Sequence, residues 1–173
     1  TTKSRMLAEL HVKMKRSIVA LMFVFSTYCF GGSMEQGKAE SQQLMNAVLP
    51  LAEQLLSQYG GFFPYGGAMT PSGEIISIAA YDGDERPPSS EVISMLQRGF
   101  ISAAQSGGYK ATALVYDVRV PLPETGEKSD AIAIALDHES GYSVVVLLPY
   151  KLTEQELRFG RMFAQPGENV VFK

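Results

Sequence analysis

Hydrophobic positions along this chain switch between two spacings, and the switches mark out its elements. From about Glu40 to Tyr59, the residues Leu44, Val48, Leu51, Leu55 and Tyr59 recur three or four apart, the repeat of one helix face, and Gly60 and Gly61 terminate it. Pro50 falls inside this segment and, lacking a backbone N–H, is expected to bend the helix. "FFPYGGAMT" and "EIISIAAYD" read as two strands, and Thr70, Pro71, Ser72 and Gly73 between them have the composition of a hairpin turn. After the polar stretch "DGDERPPSS", Ser89 or Ser90 is placed to cap a second helix, with Val92, Ile93, Leu96, Phe100 and Ile101 at helical spacing until Gly107 and Gly108. Three strands follow, at about 111–120, 131–138 and 142–148, and the tail reads as one further edge strand with a turn at Pro166 and Gly167.

The order is α-β-β-α-β-β-β, with the tail as an optional last strand. It predicts an α+β fold, a mostly antiparallel sheet of about five strands with two helices packed on it. Ala131, Ala133 and Ala135 alternate with Ile132, Ile134 and Leu136, so both faces of that strand are apolar, and the run from Tyr142 to Leu148 behaves alike. A sheet wet on one side would alternate apolar with polar. Assigning the alanine face to the chain's own helices leaves the isoleucine face to a second copy or a partner protein, so a homodimer or partner interface is expected; the alternative is that the two helices divide between the two faces.

The N-terminal fifth of the pattern reads as an address rather than as fold. Lys15 and Arg16 precede an uncharged run from Ser17 to Phe30, and Gly31, Gly32 and Ser33 close it. The run is shorter than the roughly 20 residues a membrane span needs and suits a signal peptide. Residues 1–33 are therefore read as an extension carrying a signal-like segment at 14–33, and residues 34–173 as one domain. Cleavage would place the domain in the periplasm or outside the cell with no stable membrane span; without it the chain is expected in the cytoplasm. The single cysteine, Cys29, lies inside the run, so the mature domain would hold no thiol. A net charge of −3 argues against a nucleic-acid partner, which calls for a basic stripe.

Candidate chemistry is sparse. His138 is the only histidine after the N-terminal extension, and its neighbours Asp137 and Glu139 point to the strand face opposite its own, so neither orients it naturally. One histidine and no cysteine cannot make a zinc site, and "DGDERP" lacks the spacing of a calcium loop; no metal or cofactor is expected. Asp117 and Arg119 share one strand face and, with Lys128, Asp130 and Asp137, are expected to form a polar patch at one end of the sheet. Tyr59, Phe62, Phe63 and Tyr65 cluster among two glycine pairs, a composition that serves either a binding surface or a close-packed connection. No dinucleotide, phosphate-loop or hydrolase-elbow motif occurs.

The runs "YGGFFPYGGAMTPSGEI", "AAYDGDERP", "VYDVRV", "SDAIAIALDHESGYSVVVLLPY" and "FAQPGENVVF" resemble a group of small bacterial proteins of unassigned function, over roughly Leu49 to Phe172. That resemblance implies no activity. The element order is also similar to roadblock and profilin-like modules, which implies a dimerisation or docking platform by topology alone. The expectation is a non-enzymatic binding or docking domain of an exported bacterial protein, taking a protein partner or a second copy of itself. Two other readings stand beside it: a toxin-neutralising immunity-type protein with an acidic surface at Asp82, Asp84 and Glu85, and a small hydrolase using His138 and nearby carboxylates.

Overall fold

The computed structural model describes residues 33–80, 87–153 and 156–173, all within the unit Gly31–Lys173. The signal-like segment before Ser33 and the acidic residues Asp82, Asp84 and Glu85 lie outside the described residues. The chain is α+β, with helix α1 (Met34–Tyr59), strands β1 (Tyr65–Met69) and β2 (Ile75–Ile78), and helix α2 (Ser89–Gln105). Then come β3 (Ala111–Pro121), β4 (Lys128–His138), β5 (Ser143–Leu152), β6 (Leu157–Phe159) and β7 (Phe163–Pro166). All pairings are antiparallel, in the order β2-β1-β3-β4-β5-β6, and β7 pairs with β5 beside β6. The sheet has seven strands rather than about five, because the tail makes two short edge strands where the pattern suggested one.

Local signals explain most boundaries. Ser33 caps α1, its hydroxyl accepting the Gln36 N–H at 3.2 Å, and Gly60 ends it in the left-handed conformation at φ 74°. The helix runs on through Pro50 rather than dividing there. Its buried stripe is Leu44, Met45, Val48, Ala52 and Leu56, so Leu51 and Tyr59, expected inward, face solvent. The start of α2 also differs: Pro88 occupies the cap position and no side chain caps the helix, so Ser89 and Ser90 lie inside it.

The two helices lie on opposite faces of the sheet, which corrects the expectation that the isoleucine face awaits a partner. On the first face, α1 packs Leu44, Val48 and Leu56 with Val115, Ile132, Ile134 and Leu136. On the second, Val92, Leu96 and Phe100 of α2 pack with Leu114 and Ala135. Ala131 and Ala133 join Leu147, Val118 and Phe163 in a separate cluster of that second face. The isoleucines need the larger cover because they protrude further, and the 26-residue α1 supplies it.

Both helices reach the sheet across one glycine pair in β1. Gly67 lies under α1, where an added Cβ would stand 2.6 Å from Val48 Cγ1, and Gly66 lies under α2, where it would collide with the Phe100 ring. The alternation of a strand sends these neighbours to opposite faces, so each helix meets a position without a side chain. We expect Gly66→Val and Gly67→Val each to lower stability by about 1 to 3 kcal/mol, the usual cost of overpacking, in urea unfolding followed by circular dichroism. Loss from only one of them would place a helix elsewhere than the packing described.

Candidate functional site

The residues singled out by sequence fall in separate places. His138 is fully buried at the end of β4, where Nδ1 accepts the Ser140 N–H at 3.0 Å and Nε2 meets Glu40 Oε2 at 2.8 Å. Acceptance at Nδ1 assigns the ring proton to Nε2, which donates to the carboxylate. Glu40, on α1, also takes Lys110 Nζ at 2.7 Å and the Gln36 amide at 3.1 Å. Burial alone would raise the Glu40 pKa, but hydrogen bonds from Lys110, His138 and Gln36 together with the lysine charge outweigh it and hold the carboxyl at about 2.

Ser140 Oγ lies 2.9 Å from His138 Nδ1, so a Ser-His-Glu chain exists in outline. Its histidine is fully buried, while Ser140 and Glu40 are partly so. Gly37 of α1 sits directly against Ser140 Oγ, leaving no space for even a methyl group there. The chain of bonds therefore fastens the first turns of α1 to the start of β3 and the end of β4. The carboxylate that meets His138 is neither of its sequence neighbours, Asp137 and Glu139, but Glu40, 98 residues away in sequence.

Asp137 anchors the tail on the second face. Its Oδ1 accepts Ser143 Oγ at 2.7 Å and its Oδ2 accepts the Val171 N–H at 3.1 Å, while the Asn169 N–H donates to Ser143 Oγ at 2.9 Å. The strap so held walls a cavity of about 420 Å³ whose floor includes Phe100, Leu114 and Val145. The aromatic cluster also divides. Tyr65 is buried, its hydroxyl donating to the Val48 carbonyl at 2.6 Å, and burial pushes its pKa up to about 12. Phe62 is half-buried and meets Tyr65 edge to face at 6.0 Å, whereas Tyr59 and Phe63 are 75% and 54% exposed.

The polar patch forms as expected at one end of the sheet, except that Asp137 lies at the other. Tyr150 donates to Asp117 Oδ1 at 2.9 Å. Partial burial, helped by the charge of Asp130, raises the Asp117 pKa against the lowering effect of that bond, and burial followed by the Asp117 carboxylate raises that of Tyr150. Arg119 faces Asp130 across the β3–β4 register at 3.9 Å, and both are exposed.

Arg119, Asp130 and Tyr150 border a cleft of about 910 Å³, larger than the cavity of the second face. The β3–β4 loop forms one wall, and the end of β5 with the β6–β7 connection forms the other. Arg161 bridges the walls through Glu124 at 3.0 Å. Leu152, Phe159 and Met162 line the cleft while 41%, 41% and 38% exposed. Sequence reading missed this second wall, because the tail carried only weak strand signals. Among the described residues, no three histidine, cysteine or acidic side chains converge as a metal site, and no helix is long and apolar enough to cross a membrane.

The chain matches no protein-family model, no curated protein and no solved structure.

The Glu40 cluster makes a pH prediction. A carboxyl held at about 2 when folded, against 4.5 ordinarily, binds its proton more weakly in the native state. Its stabilisation is complete above 4.5 and fades as the pH falls toward about 2. Urea midpoints are expected to show Glu40→Gln less stable than the parent at pH 7, with the gap narrowing by pH 2.5. A gap independent of pH contradicts the assignment.

Proposed function

We propose that this chain is a non-enzymatic binding domain of an exported bacterial protein and that it docks a protein partner in the cleft beside Arg119 and Tyr150. The observation that carries the reading is the convergence, in one 910 Å³ cleft, of exposed Leu152, Phe159 and Met162 with a ring of charged side chains. Exposed apolar groups rimmed by charge are the usual make-up of an interaction site. The strongest hydrogen-bonded constellation, at His138, has its imidazole fully buried and Gly37 of α1 packed against Ser140 Oγ, which favours a structural role for it. Export rests on the charge and hydropathy order of residues 14–33, and the bacterial origin on the resemblance of "YGGFFPYGGAMTPSGEI" and the runs after it.

Self-association loses its original ground once α1 covers the isoleucine face, so the partner is read as a different protein. The immunity-type reading would need the acidic loop at Asp82 to carry the contact, and the cleft is of the opposite character.

A photo-crosslinking amino acid at Phe159, compared with one at Glu74 on the β1–β2 turn, tests the site in the native host. A single defined adduct at 159 and none at 74 is expected. Equal adducts at both positions, or none at 159, would remove the cleft as the docking surface.

A further inference from the structure

Within an acidic chain, positive charge is gathered in one place. Five of the nine lysines and arginines among the described residues line the end cleft, against three of the thirteen described acidic residues. Two of the five, Lys151 on β5 and Arg158 on β6, are register partners, so like charges stand directly opposite each other. Such a pair costs stability unless something negative lies between or beside the two charges. Arg158 has Glu156 at 2.7 Å on its own strand side, and Lys128 and Lys151 make no ion pair with a described residue.

The apolar groups are interleaved with these cations. Leu152, Phe159 and Met162 each follow a cation directly in sequence: Lys151, Arg158 and Arg161. On β5 and β6 the alternation of side chains sends Lys151 and Arg158 to one face and Leu152 and Phe159 to the other, so the cleft draws its lining from both sides of the sheet end. A compact small molecule rests on one face. An extended chain laid over the end can touch both.

We infer that the cleft receives an extended acidic peptide segment of the partner, with carboxylates alternating with apolar side chains, an assignment that rests on the docking role proposed above. Carboxylates would be bound by Arg119, Lys128, Lys151 and Arg158, whose forked or ammonium heads suit them, and apolar side chains would cover Leu152, Phe159 and Met162. Glu124, Glu127 and Asp130 in the same lining disfavour a uniform polyanion such as a nucleic-acid backbone, but a peptide places its charges at intervals and can avoid them. Acyl chains are a poorer match, because the exposed hydrophobic groups are separated by charges rather than joined into a tunnel.

The test uses the full 173-residue chain and four fluorescent probes in anisotropy titrations: an eight-residue Glu-Leu repeat, the matching Lys-Leu and Glu-Ser repeats, and an eight-nucleotide thymidine strand. The Glu-Leu probe is expected to bind most tightly and to weaken at least tenfold between 50 mM and 500 mM salt. It should also weaken at least tenfold on K151E/R158E, a pair of exposed positions, with the melting temperature of that variant recorded as a check of folding. Amide shift mapping locates the contact. Cleft shifts with Lys-Leu binding as tight as Glu-Leu overturn the acidic class and leave the docking surface standing. Tighter binding of the thymidine strand overturns the peptide in favour of a nucleic acid. Glu-Leu binding unchanged by K151E/R158E, or the absence of cleft shifts with every probe, overturns this inference, while the crosslink at position 159 decides the docking role separately.

Discussion

Close approach at Gly66 and Gly67 is the constraint from which the architecture follows. A helix can lie flat on a sheet only where side chains beneath it are small or interlock with its own. In β1 two successive positions have no side chain, and strand geometry directs one to each face. Val48 of α1 and Phe100 of α2 occupy the space so released, and both become buried. Two apolar faces on β3 and β4 then have their covers within one chain. A side chain at either glycine would lift a helix and open the isoleucine or the leucine surface to water.

With both faces engaged, polar groups are left to the ends of the sheet, and the two ends differ. At one end, Glu40, Lys110 and His138 saturate one another and draw α1 onto the strands. A largely buried group of this kind is stable because its charges and donors meet one another, Glu40 accepting from Lys110, His138 and Gln36 together. At the other end, β3 and β4 extend beyond the helices into a long hairpin, and β6 turns back beside β5. The charges there pair loosely, at 3.9 Å for Arg119 and Asp130, and stay wet. At the first end the polar groups hold one another tightly; at the second they stand exposed to solvent.

Much of this fold is written in spacing. The two helices, the hairpin and the three long strands each have a period, a cap or a glycine stop that identifies them. The errors have physical causes. In α1, Leu51 and Ala52 are both compatible with an apolar stripe, as are Leu55 and Leu56, and hydrophobicity favours Leu51; the strand below selects Ala52 and Leu56, since the stripe advances by fours along the sheet. The alternation of alanine with isoleucine states that both faces of β4 are dry but does not say whether the two helices share the alanine face or take one face each. For the candidate site, Asp117, Arg119, Lys128 and Asp130 could be grouped because they sit on one hairpin. Glu40 could not be paired with His138, nor Phe159 with Tyr150 by pattern alone, because such contacts are made by topology rather than by neighbours in sequence.

The division of the helices between the two faces can be measured as one distance. Spin labels at the exposed positions Gln54 on α1 and Arg98 on α2 report it by pulsed electron resonance. Helices on opposite sides have axes roughly 20 Å apart, one layer of about 10 Å on each side of the sheet, and outward labels extend this further. The distribution should therefore centre beyond about 30 Å once helix radii of about 5 Å are added on each side. A distribution centred below about 20 Å would put both helices on the same face and contradict the account.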